Sequence, residues 1–526
     1  MRVSRYPHPP IPDHRAVRVP IPPLADPSPR EIALAAPSAA GHSPGVEATG
    51  AGAARRGASS TPATQGRLLA LPPLQAVARL AAPTTLVMLV AALSNVLYTW
   101  YVSRLGPDAI AAVSLVFPLS LVAITAMNSG IGGGSASAIS RALGAGDEAA
   151  ADSAAEHGLA LSFVVGLAFA GLMLAAARTV FGWMGGDGVV LDRAVPFARI
   201  VFGGATVTFL SGMLDSILRG EGNVRVPAIW STASLVLQMA VTPLLVFGAG
   251  LGLPGAAIAT IASQGLATVP RAMHVLGGRG IVHPRPWPRH PSRDTLREIL
   301  RVGIPASLST TINYVGIMVL TGVVARLGTS DLAAYGLGTR LDFLLLSVVF
   351  GVASAVLTLV GLATGAGRPD RAVEYVRTAT ALIAALLAVP AALLWWRPSL
   401  WTSLFTSDPG ILAVGDDYFS LVGPSYPFVG VSMVLAFAFQ GLGRATAPLA
   451  VMATRVPLVL ATAIACTRWL GLGERSVFAT IAAGNVLAAV VLGAAFLRVQ
   501  RHLATARATD PAQAAGPVDS PPVEAA

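Results

Sequence analysis

Two carboxylates stand inside long apolar runs of this chain, where an acid is expensive. Asp215 falls in the run 196–218 and Asp342 in the run 333–362. A charge at the centre of a bilayer costs about 2.5–3.5 kcal/mol on insertion scales, so acids at that depth mark ion or substrate pathways. Asp215 precedes Arg219 by four residues, the spacing of an intrahelical ion pair. Asp342 follows Arg340 by two, toward the outer end of its run, and reads as a structural or gating pair. Polar but uncharged groups share these depths. Gln238, Thr242 and Thr260 join the acids and Arg219 as candidates for ion coupling, while Asn313, Gln264 and Gln440 are candidates for a substrate cavity. Such groups are expected to find partners across helices. Tyr98 and Tyr101, flanking Trp100, carry faces on which an organic cation could stack. Arg455, also within an apolar run, must snorkel or pair.

Other chemistries drop out. Cys466 is the single cysteine, which excludes a disulfide framework and a thiolate zinc cluster. No lysine occurs, so all 36 basic residues are arginine, and neither a Schiff base nor a Walker A loop can form. The glycines from Gly130 to Gly134 beside Ser135 therefore read as a close helix contact rather than a phosphate loop. No histidine–carboxylate cluster lies in the apolar runs, so the expectation is no metal, no cofactor and no enzymatic activity. The net charge of +10 is spread through loops without a basic face, which argues against a nucleic-acid partner.

These residues need a bilayer to make sense. The chain of 526 residues is 54% hydrophobic and only 12% charged, with a mean hydropathy of +0.67. Charge that sparse could not cover the surface of a soluble protein this long. Apolar runs of about 20 residues, long enough to cross a ~30 Å core, are expected at 80–102, 110–139, 155–178, 196–218, 227–248 and 252–275. A second set is expected at 302–325, 333–362, 377–396, 414–439, 446–467 and 476–498. Residues 1–66 hold 12 prolines and no apolar leader; they read as a disordered tail, as does 503–526.

The two sets of six repeat each other. Arg104-Leu105-Gly106 returns as Arg326-Leu327-Gly328, and Pro83 as Pro305, at an offset of 222. Gly144-Ala145-Gly146 returns as Gly365-Ala366-Gly367, and Gly220, Gly222 and Pro227 return as Gly441, Gly443 and Pro448, at 221. The expected architecture is all-α, with 12 transmembrane helices as two parallel six-helix repeats. An N-terminal lobe at 72–273 and a C-terminal lobe at 302–502 would be joined by a linker at 274–301. With the N-terminus inside, 19 arginines flank the inner face and 8 the outer, which predicts a plasma-membrane protein with both termini and the linker cytoplasmic.

At this level the chain resembles the multidrug and toxic compound extrusion family. The likeness covers about residues 72–502 and rests on the duplicated landmarks, on Ala142–Gly146, on Leu218–Asn223, on Gly255–Thr260 and on Gln440–Arg444. It implies a monomeric two-lobe exporter of amphipathic, mostly cationic small molecules, working by alternating access in exchange for H+ or Na+. Three positions depart from the family pattern. Tyr98 stands where the first helix often carries aspartate, Thr242 where the fifth does, and Asn313 where one branch has glutamate. Coupling is then expected to fall to Asp215 with Arg219, or to Asp342. The alternatives are a lipid-linked sugar flippase of the wider superfamily, which usually has 14 spans, and a membrane receptor or scaffold without ion coupling.

Overall fold

The computed structural model describes residue 66 and residues 68–509, with side chains to Arg501. The tails expected to be disordered lie almost wholly outside the described residues. Helices follow one another without a strand among those residues: α1 Pro73–Ser103, α2 Pro107–Gly144 and α3 Glu148–Trp183. Next come α4a Gly188–Gly203 and α4b Ala205–Gly220, bent by 42° at Gly204, then α5 Arg225–Gly248 and α6 Gly252–Leu276. The second set is α7 Arg293–Ala325, α8 Thr329–Gly365, α9 Pro369–Trp396, α10 Pro409–Gly441, α11 Thr446–Arg468 and α12 Glu474–Thr509. Ten of these are long and apolar enough to span a bilayer, and the bent α4 makes an eleventh. The sixth expected span forms as α6, but Gln264, Arg271 and His274 leave it too polar to qualify on composition.

The repeated glycines have a shared physical cause. Gly146, Gly367, Gly222 and Gly443 all adopt positive φ, between 67° and 83°. Each is followed by a residue whose N–H reaches the carbonyl five positions back: Asp147 to Ala142, Arg368 to Ala363, Asn223 to Leu218, Arg444 to Phe439, at 2.8–2.9 Å. This is the Schellman helix stop, which needs a residue without Cβ. The break in α4 at Gly204 also has its counterpart, a short 3₁₀ turn at Gly423–Ser425 inside α10.

Gly144 and Gly365 do a second job. A Cβ on Gly144 would collide with the Leu362 carbonyl of α8, and one on Gly365 with the Arg141 carbonyl of α2. Gly134 faces the Ile299 carbonyl of α7 in the same way, and Gly303 lies against Gly130. Residues 132–140 of α2 and 351–363 of α8 are consequently all buried. Toward the opposite helix ends, Phe117 and Phe343 are more than two-fifths exposed. The two lobes are thus sealed together at the end carrying the linker. Trp183, Trp396 and Trp469 sit exposed at or next to helix termini of the opposite end, as an interfacial aromatic belt would.

The linker proper, 277–292, is strapped to the N-terminal lobe by side chains that accept its backbone N–H groups. Glu221 takes Ile281 at 2.7 Å, Asp152 takes His283 at 2.6 Å, and His157 Nε2 takes Ser292 at 2.8 Å. Glu221, just beyond α4b, is only 2% exposed. Burial pushes its carboxyl up to about 7, against the pull of the Ile281 and Val282 N–H groups and helped by Asp152. The docked form therefore keeps a proton that a released Glu221 loses near pH 4.5. Docking is strongest below that pH and weakens, by about 3 kcal/mol in all, as pH rises to 7. Hydrogen exchange at 280–284, corrected for intrinsic rates, should show protection falling from pH 5 to 7 and levelling off above. Glu221→Gln should flatten that profile; an unchanged profile would assign the dependence to another group.

Candidate functional site

Asp215 on α4b and Arg271 on α6 form a buried ion pair at 3.3 Å. Arg271 is 2% exposed, and its Nη1 also donates to Ser211 Oγ; Ser231 on α5 donates to Asp215 at 3.3 Å. The pair expected along the helix, Asp215 with Arg219, gives way to this one. Arg219 turns to Ser216 Oγ at 3.0 Å, while its carbonyl accepts from Thr358 of α8 at 2.9 Å. Arg271 comes within ion-pair distance from the facing helix α6, and its burial inside the lobe makes a counter-charge necessary. By sequence Arg271 is one of the 19 arginines expected to flank the inner face, but it lies inside the lobe. Beyond that ion pair Asp215 Oδ1 has no hydrogen-bond partner among the described residues, and neither has Arg271 Nε.

The uncharged candidates of this lobe are tied in pairs. Gln238 of α5 donates to Thr260 of α6 at 2.9 Å, and Thr242 returns to the Gln238 carbonyl at 2.7 Å. Gln264 accepts from Thr208 of α4b at 2.8 Å. Tyr98 packs half-buried against the apolar cluster of Val102, Ala109 and Val116. Tyr101 meets Trp100 edge-on at 5.4 Å, and Arg104 covers the other part of that indole at 4.9 Å. Neither tyrosine lines the cavities described next.

A cavity of ≈ 180 Å³ opens within the C-terminal lobe between α7, α8, α10, α11 and α12. Asp342 and Asn313 both line it. Asp342 does not pair with Arg340, which is exposed; its Oδ2 accepts from the Tyr418 hydroxyl at 2.7 Å. Gly338, one turn earlier on α8, permits that bond, since a Cβ there would strike the Tyr418 ring. Tyr335 meets Tyr418 edge-on at 6.0 Å and completes an aromatic wall. Arg455 enters from α11, held by Asn485 of α12, which donates in turn to Ser425 in the break of α10 at 2.9 Å. Gln440 lies elsewhere, in a small gap of ≈ 30 Å³ along the seam beside Arg219 and Asn128. Its carbonyl accepts from Ser137.

Tyr418, Tyr426, Asn485 and Arg271 were not singled out by sequence. Gly338 was the available sign for Tyr418, and the unusual polarity of α6 was the sign for Arg271. Among the described residues no group of three or more His, Cys, Asp or Glu could hold a metal ion.

Two six-helix lobes, sealed at one end around buried charges, define a membrane carrier. The chain belongs to the multidrug and toxic compound extrusion family: the family model, MatE, matches residues 83–244 and 305–465, once per lobe. A FAD transporter from Shewanella oneidensis is 27% identical over 369 residues, covering 69% of this chain and 81% of the relative. The multidrug export protein MepA of Staphylococcus aureus is 23% identical, covering 71% and 82%. A solved MOP superfamily transporter from Pyrococcus furiosus superposes with a TM-score of 0.78 at 28% identity, over 83% of this chain and 97% of that one. An outward-facing multidrug resistance MATE transporter superposes with a TM-score of 0.78, also at 28% identity, over 84% and 98%.

Proposed function

We propose that this chain is a secondary active exporter, exchanging amphipathic organic compounds for H+ or Na+ by alternating access. The observation that carries the reading is the seam. Matched glycines close it at the linker end, while a cavity with ionisable walls stands in the lobe beyond. Reopening that seam while the opposite ends of the lobes close would move the cavity from one face of the membrane to the other. The multidrug exporters among its relatives support a broad cargo. The relative named FAD transporter, with Arg455 in this cavity, favours a second reading in which anionic aromatic compounds are carried too.

Coupling is assigned to Asp215 and Arg271. An ion pair that must be kept in one conformation and opened in the other gives the carboxylate two different appetites for a proton or a cation. Gln238, Thr242 and Thr260 are satisfied by one another and remain its uncharged companions in the proposal. Asp342 is the second candidate. The flippase alternative is two helices short among the described residues, and a receptor without coupling gives no role to the Asp215 pair. The carrier is read as a monomer in the cytoplasmic membrane.

Ethidium efflux from vesicles under an imposed pH or sodium gradient tests the reading, with collapse by the matching ionophore as the expected result. Efflux indifferent to both gradients would contradict it. Orientation is tested separately, with both termini and the linker placed in the cytoplasm. Arg289→Cys in a Cys466→Ser background should resist an impermeant maleimide applied to intact cells and label after lysis. Labelling from outside would invert the topology.

A further inference from the structure

The linker between the lobes is basic, and its charge has no counterpart nearby. From residue 277 to 293 it holds four arginines and no acid, and its four prolines exclude a helix. Pro284 and Pro288 are buried against the protein, whereas Arg285, Trp287 and Arg289 are exposed. The adjoining acids are engaged otherwise. Asp152 and Glu156 of α3 accept the backbone N–H groups of His283 and Arg285, at 2.6 and 3.1 Å, and Glu298 of α7 pairs with Arg141. Neither Arg285 nor Arg289 makes an ion pair among the described residues.

Trp287 fixes the depth of this strip. Its indole meets the Phe163 ring of α3 edge-on at 6.5 Å. No charged side chain occurs on α3 from Gly158 to Ala177, and Phe163, Val164 and Leu167 are exposed along one face, where a bilayer would cover them. Phe163 precedes Trp183 by about 20 residues, or ~30 Å of helix, which is the thickness of the hydrocarbon core. With Trp183 at one boundary of the bilayer, Phe163 and Trp287 fall at the other.

We propose that residues 284–290 form a docking site for anionic phospholipid, with Trp287 seated at the bilayer boundary and headgroup phosphates held by Arg285 and Arg289. A guanidinium offers paired N–H donors to a phosphate, and an indole suits the headgroup level. Each arginine held near an anionic surface gains roughly fivefold in association. The linker then lies on the membrane, and the charge of the bilayer decides how firmly this strap is held there. The site needs only the membrane-spanning fold and goes beyond the transport reading, whose failure would leave it standing.

Pro286→Cys in a Cys466→Ser background places a bimane label between Arg285 and Trp287. The purified full chain is reconstituted into phosphatidylcholine vesicles carrying a small, equal fraction of either spin-labelled phosphatidylglycerol or spin-labelled phosphatidylcholine. The spin label sits high on the acyl chain, so quenching of bimane reports lipid seated at the linker. Phosphatidylglycerol should associate at least about fivefold more strongly than phosphatidylcholine. Arg285→Gln and Arg289→Gln should each reduce that preference, and together they should abolish it. Added inorganic phosphate should leave it in place, because the free ion has no chain to set beside Trp287. Equal quenching by the two lipids would overturn the proposal, and quenching by neither would show that the linker stands off the membrane. A preference that survives the double variant would assign the lipid to other arginines. One that phosphate abolishes would make this a site for the free ion instead.

Discussion

Asp215→Asn should abolish gradient-driven efflux while leaving expression and downhill movement of substrate largely intact. The amide keeps the shape of the carboxylate but cannot take up or release a proton, and it binds a cation weakly. Arg271 would then be buried without a counter-charge, and breaking such a pair costs about 3–5 kcal/mol. Stability and coupling can be separated by adding Arg271→Gln. The double variant should regain thermal stability toward the parent, since it removes the orphaned charge as well. It should still fail to pump. A double variant that pumps would make the pair a structural feature only and move the search for coupling to Asp342.

Gly365→Val should hold the carrier open at the end that bears the linker. The valine would drive its Cβ into the Arg141 carbonyl, and the backbone of α2 has nowhere to yield with residues 132–140 buried against neighbours. Transport should fall by tenfold or more, because one half of the cycle is blocked. The measurement is maleimide reactivity of Ala138→Cys, in a Cys466→Ser background, from the cytoplasmic side of inside-out vesicles. Ala138 is 2% exposed in the sealed seam, so the cysteine should react slowly alone and at least about tenfold faster with Gly365→Val. A cysteine that stays protected would show that the helices repack around the valine.

The double demand on glycine explains why so much of the fold was readable in the chain. A Schellman stop requires positive φ and a helix crossing requires a missing side chain, so Gly144-Ala145-Gly146 and its copy could be recognised without coordinates. Gln238 and Thr260 were legible for a related reason: polar groups in lipid must meet each other, and these two do. Charge partnership was less legible. The Asp215–Arg219 spacing satisfied a local rule, whereas the observed partner comes from another helix, 56 residues along the chain. The aromatic wall was hidden as well, because Tyr418 and Tyr426 in an apolar run look like ordinary core residues until the approach at Gly338 is seen. Tyr98 and Tyr101 had the better sequence argument and sit away from either cavity.

The central claim is that export of an organic compound is exchanged for a cation through Asp215. It is tested most directly in proteoliposomes holding the purified chain, with a pH-sensitive and a sodium-sensitive dye trapped in the lumen. An ethidium gradient imposed without any ion gradient should drive H+ or Na+ in the opposite direction, seen as a lumenal change in one dye. The account predicts that this flux is present in the parent and absent in Asp215→Asn. An ethidium flux with no counter-flow of either ion in the parent, or an undiminished counter-flow in Asp215→Asn, would contradict it.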